Sequence, residues 1–119
     1  MSFEDEFNRL RRHVEAAIAD NQGTQTIEDV IRRLHDGSFK MWTSESAILI
    51  TEMCKMPNKT FLNIVLGGGD LEQIKQMVNA VEQEAKTSGL NGVMIVGRRG
   101  WGKVLPNYKD VATLHMKEF

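Results

Sequence analysis

The run Thr60-Phe61-Leu62-Asn63-Ile64-Val65-Leu66 passes directly into Gly67-Gly68-Gly69 and then into Asp70-Leu71-Glu72-Gln73. The apolar stretch 60–66 predicts a buried strand. Asp70 is a good helix N-cap, and Gln73 three residues on completes a capping-box pattern. Leu71, Ile74, Met77, Val78, Val81 and Ala85 then recur at helical spacing. A second apolar run, 93–96, follows one helix later. Strand, tight glycine turn, helix and strand make a crossover unit, which sets the two strands parallel. Ligands of such units settle where the strand ends and the helix begins, because free backbone N–H groups point outward there.

The rest of the chain is built around that unit. Phe3, Phe7, Leu10, Val14, Ala17 and Ile18 form one apolar stripe and predict a helix over 4–20. Glu4, Asp5 and Glu6 favour its positive end. Arg9, Arg11 and Arg12 lie off the stripe, on a solvated face. A second helix is predicted over 27–35, with Thr26 as N-cap, Asp29 close to a capping box, and Gly37 past its end. His35 and Asp36 then mark a solvated helix end. Residues 39–42, 47–54 and 60–66 read as three strands joined by short turns, one of them Met56-Pro57-Asn58-Lys59. Short loops favour an antiparallel meander. After the parallel strand come the turn Gly97-Arg98-Arg99-Gly100, a helical turn over 101–105 stopped by Pro106, and a last strand over 111–116 with Ala112, Leu114 and Met116 on one face. The expected fold is one α/β domain over 1–119. A helical part, 1–38, covers one face of a mixed sheet formed by 39–119.

Composition excludes several classes. With 119 residues and 41% apolar content, the chain can bury a core without metal or disulfide support. A net charge of −1 argues against a protein committed to nucleic acid or to a membrane surface. The single cysteine, Cys54, falls in a strand and reads as a small apolar residue in a reducing compartment. Residues 1–6 are acidic and show no signal-like apolar run, and no run is long enough to span a bilayer. The seven methionines mostly fall on apolar faces, and core filling explains them better than metal or partner binding. His13, His35 and His115 are far apart and show no metal-ligand spacing. Neither a nucleophile elbow nor a P-loop is present.

One cluster carries possible recognition chemistry: Arg98, Arg99, Trp101, Lys103, Tyr108 and Lys109. Basic and aromatic residues together can anchor a protein interface or grip a nucleic-acid backbone and stack bases. They can also divide into a packed Trp101 and Tyr108 with solvated charges. Of the two recognition readings the protein interface is preferred, through Arg98, Arg99, Trp101 and Lys103.

The element order, Gly67-Gly68-Gly69-Asp70-Leu71, and Gly100-Trp101 through Tyr108 followed by a strand resemble a shortened GNAT acyltransferase over residues 39–119. A closer resemblance, carried by Gly97-Arg98-Arg99-Gly100-Trp101 and Val111-Ala112-Thr113, is to small GNAT-like proteins of tailed bacteriophages and prophages. The superfamily resemblance implies a loop of pattern Gln/Arg-x-x-Gly-x-Gly/Ala that holds the acetyl-CoA diphosphate, with Gly67, Gly68 and Gly69 as the corresponding residues. Ile64 stands where that pattern has a basic or amide residue, and Asp70 places a carboxylate where the phosphates would lie. At about 4 Å and an effective dielectric of 20, one such like-charge contact costs on the order of 4 kcal/mol. The superfamily's acid, a tyrosine, aligns with Lys103, and Tyr108 matches its packing aromatic. A base is expected on the meander, where Glu52 is the one acid well inside a strand. These departures favour a non-catalytic protein without a cofactor. The phage resemblance implies a virion-associated or accessory component in the particle or the host cytoplasm, with a protein partner, other virion proteins or a second copy of itself. The other reading is an acetyl-CoA-dependent N-acetyltransferase with Glu52 as base.

Overall fold

The computed structural model describes residues 2–19, 23–96 and 104–119. Helix α1, Phe3–Ile18, starts at Ser2, whose hydroxyl accepts from the Asp5 amide while the Asp5 carboxylate takes the Ser2 amide. Helix α2, Ile27–His35, repeats the device with Thr26 and Asp29. Each box satisfies donors that a helix start leaves unpaired. Then follow β1 (Lys40–Thr43), β2 (Ala47–Lys55), β3 (Thr60–Gly69), α3 (Leu71–Thr87) and β4 (Gly92–Ile95). The sheet order is β1-β2-β3-β4. The first two pairs are antiparallel and β3 pairs with β4 in parallel, as the crossover unit requires.

Alternation along β2 divides the core. Ile48 and Ile50 face α1 and α2, where Phe7, Leu10, Val14 and Val30 close over them. Ala47 and Leu49 face α3 and meet Ile74, Val78 and Val81. Each such side chain contributes about 1.5–3 kcal/mol by leaving water, so both faces of β2 hold the domain together. The expected cover of one face by the two N-terminal helices is what the structure has.

Three readings need correction. The strand 60–66 continues to Gly69, because Gly67, Gly68 and Gly69 pair with Leu49, Ile48 and Ala47. The glycines are strand, and the turn is compressed onto Asp70. Residues 111–116 form no strand and are exposed. Their alternation is strand-like, but strand preference is fulfilled only by pairing and cover, and none of the described strands takes them in. Finally, Met53, Met56 and Met116 are exposed, so core filling accounts for only part of the methionines.

Candidate functional site

The site begins where β3 and β4 part. β4 pairs with β3 only from Phe61–Gly92 to Ile64–Ile95. β3 runs five residues further, to Gly69. Its edge from Val65 onward has no strand partner among the described residues. A bulge falls at the same place: Thr51 opposes Ile64 and Ile50 opposes Leu66, leaving Val65 as the extra residue. A bulge withdraws backbone from the ladder and re-aims it. Parting strands plus a bulge produce an open main-chain edge that ends at the start of α3.

The glycines at that end are required by the protein itself. A Cβ on Gly68 would stand 2.9 Å from the His13 carbonyl oxygen of α1. Gly69 has φ +111°, and a Cβ there would stand 2.2 Å from the Ser46 oxygen, so only glycine serves. Asp70 donates its amide to the Ser46 carbonyl at 2.9 Å, and its carboxylate accepts from the Gln73 amide at 3.1 Å. It is the expected N-cap. The expected box is not formed, because the Gln73 side chain turns to the β1–β2 turn. There its Oε1 accepts from Ser44 Oγ at 2.6 Å and from the Ser46 amide at 2.7 Å. Arg9 reaches the same turn from α1, donating to the carbonyls of Glu45 and of Ser44, the latter at 2.8 Å. These long-range roles of Gln73 and Arg9 leave no local signal in the sequence. The amides of Leu71 and Glu72 complete the positive end of α3 and lie outside the reach of the cap.

Glu52 sits opposite Asn63, one residue before the last parallel pair. Its two oxygens accept from Arg33 Nη2 at 3.1 Å and from Asn63 Nδ2 at 3.2 Å. Asn63 is buried, and its own Oδ1 has no partner among the described residues. Glu52 and Arg33 also line a cleft of about 540 Å³ with Trp42, Thr51 and Leu62. From Asn63 to Gly68 is about 16 Å along the strand, at roughly 3.3 Å per residue. Glu52 and the glycines therefore stand at opposite ends of the open edge.

Arg98, Arg99, Trp101 and Lys103 lie outside the described residues. Tyr108 packs against the buried cluster of Ile64, Ile74, Val78, Val81 and Leu105 between the sheet and α3. Its hydroxyl donates to Glu82 Oε2 at 2.8 Å. Burial first, and that carboxylate second, push the phenol well above its usual pKa. Among the described residues no three His, Cys, Asp or Glu side chains could share a metal ion, and no helix is long and apolar enough to cross a membrane.

No protein-family model matches the chain, and no curated protein sequence matches it. Solved structures do. An aminoglycoside acetyltransferase, meta-AAC0020, from an uncultured soil metagenomic sample, in complex with trehalose, superposes with TM-score 0.68 at 15% identity, over 97% of this chain and 89% of its own. TTHA1254 from Thermus thermophilus gives 0.66 at 12% identity, over 99% and 95%. A tetramutant of BH1408 from Bacillus halodurans gives 0.58 at 11%, over 95% and 94%. The fold is GNAT-like. The same findings overturn the expectation of a non-catalytic virion component. The fold is shared with an aminoglycoside acetyltransferase.

Proposed function

We propose that the chain is an N-acetyltransferase that takes acetyl-CoA as donor and an amine as acceptor. The observation that carries this reading is the open edge of β3 from Val65 to Gly69, bulged at one end and abutting a helix start at the other. Acetyl-CoA supplies the acyl group as a thioester at the end of a chain that contains two amides. An extended, amide-bearing chain completes an open strand edge by main-chain hydrogen bonds. Laid along β3 from the α3 start, it brings its reactive end to Val65, where backbone freed by the bulge can stabilise the oxygen on which negative charge develops.

Asp70 is the departure to be weighed. Its carboxylate is exposed and engaged with the Gln73 amide. A like-charge contact at about 4 Å costs about 4 kcal/mol near a protein surface and falls toward about 1 kcal/mol as bulk water comes between the charges. Exposure therefore leaves the helix start a weakened but usable diphosphate site, through the amides of Leu71 and Glu72. Gly68 is turned toward α1, so it gives the donor no extra room; the fit rests on the edge.

The amine nitrogen attacks the thioester carbonyl, the C–S bond breaks, and the thiolate leaves. The amine must lose a proton in the process. Glu52, across from Asn63 and close to the bulge, is the residue we assign to accept it, with Arg33 and Asn63 fixing its position.

Calorimetry with acetyl-CoA and with CoA, coupled to thiol release over a panel of primary amines, tests the function. Micromolar binding of both nucleotides and amine-dependent thiol release are expected. Absence of heat with millimolar acetyl-CoA, together with no thiol release for any amine, overturns it.

A further inference from the structure

The cleft beside Glu52 carries an uneven set of charges. β1 stops at Lys40, opposite Thr51, so β2 from Glu52 to Lys55 has no strand on that side among the described residues. The cleft lies along this stretch. Two acids line it, Glu52 and Glu84, and three cations, Arg33, Lys40 and Lys55. Each acid already has its cation: Arg33 holds Glu52 at 3.1 Å, and Lys40 stands 3.9 Å from Glu84. Lys40 also lies over the Trp42 ring, 4.3 Å from its centre. Lys55 is the third cation, and it has no ion-pair partner among the described residues. The rest of the wall is largely apolar. The Trp42 indole N–H already donates to Thr51 Oγ1 at 2.9 Å, so Trp42 offers a ligand ring surface alone. Leu62 and Met53 extend that surface, and Met53 is 52% exposed.

We infer, resting on the acetyltransferase reading above, that the acceptor is a free amino acid with an apolar side chain. Its amine meets Glu52, its carboxylate meets Lys55, and its side chain lies on Trp42, Met53 and Leu62. Glu52 and Lys55 are three residues apart on β2, about 10 Å at roughly 3.3 Å per residue. Their two side chains and one amino acid span that distance. A volume of about 540 Å³ is that of a small-molecule site. A polycationic amine would bring more positive charge against cations whose acids are already taken, and unpaired like charge is what rejects a wrong ligand. A carboxylate instead supplies the partner that Lys55 lacks. In the transfer the N–C bond forms, the thioester C–S bond breaks, CoA leaves as thiolate, and the proton lost by the amine passes to Glu52. The products are an N-acetyl amino acid and CoA.

Thiol release from acetyl-CoA, measured with leucine, leucinamide and spermidine, tests this. Leucinamide keeps the amine and the side chain and lacks only the carboxylate. Its amine is also the less basic and the more fully deprotonated near neutral pH, so intrinsic reactivity runs against the expected order. Leucine should exceed leucinamide by roughly fivefold in kcat/KM, the worth of one exposed ion pair, and should exceed spermidine by more. Lys55→Ala should narrow the ratio of leucine to leucinamide toward one, chiefly through KM for leucine, and a thermal melt checks that the variant is folded. Leucinamide or spermidine used as well as leucine overturns the inference and leaves the acetyltransferase reading standing. So does a preference for leucine that Lys55→Ala does not alter. Absence of thiol release with every amine overturns both.

Discussion

Gly68 of β3 lies directly against His13 of α1, and a Cβ at position 68 would stand 2.9 Å from the His13 carbonyl oxygen and 3.0 Å from its Cβ. The contact is backbone to backbone, so neither side can yield by a rotamer change. It places the N-terminal helix on the last residues of the strand that the proposed donor would follow.

Gly68→Ala should therefore loosen α1 from β3 and cost about 1–3 kcal/mol, the range for overpacking a tight interior contact. Gly69→Ala should cost more, since it adds a left-handed backbone and a contact of 2.2 Å with the Ser46 oxygen. Urea unfolding of both variants checks the order. Equal, small losses would mean that the contacts open easily.

At Asp70 stability and binding should move in opposite directions. Asp70→Ala removes the acceptor of the Gln73 amide and should cost about 1 kcal/mol of stability. Asp70→Asn caps about as well and should be nearly neutral. Both remove a negative charge from the helix start, so both should bind CoA more tightly by about 1 kcal/mol, or roughly fivefold in Kd. Thermal melts and calorimetry on the two variants separate the effects. Weaker CoA binding by Asp70→Asn would show that the carboxylate assists the ligand.

The sequence made the crossover unit legible because Thr60-Phe61-Leu62 and the stripe from Leu71 to Ala85 are strictly local patterns. The parallel pairing followed from the single helix that separates the two apolar runs. The bulge at Val65 was hidden, since it depends on the register of β2 against β3, and register is set by which side chains reach the core. Glu52 could be singled out as an acid within a strand. Its clasp by Arg33 and Asn63 could not, because the partners are 19 and 11 residues away on separate elements. At 111–116 the local pattern misled for the opposite reason: alternation describes what a strand needs, and whether a neighbour exists is decided elsewhere in the chain.

Glu52→Gln should lower kcat with little change in acetyl-CoA affinity, because the base acts on the amine. Its stability cost should be small, about 1 kcal/mol or less, since the Arg33 and Glu52 side chains are 42% and 27% exposed and water screens the pair. Steady-state kinetics with the best amine, alongside a melt, check both parts. Unchanged kcat across the pH range would remove Glu52 from the mechanism.

Tyr108 predicts a specific alkaline weakness. Burial and the Glu82 carboxylate, 2.8 Å from the phenol, both oppose phenolate, so the folded-state pKa lies above the ordinary value of 10.0. The unfolded chain, with the ordinary value, gives up its proton first. Above that pH the folded state binds more protons than the unfolded one, so stability must fall as pH rises. The contribution is fully present below pH 10 and declines from there upward. Tyr108→Phe should lose about 0.5–1.5 kcal/mol at neutral pH, the net worth of one hydrogen bond, and should show a shallower loss above pH 10. Lysines titrate in the same range, so the difference between parent and variant is the quantity to measure. Guanidinium unfolding of both at neutral and alkaline pH gives it. A difference that stays constant with pH would mean that the phenol is free to ionise in the folded protein and that the Glu82 contact is not maintained in solution.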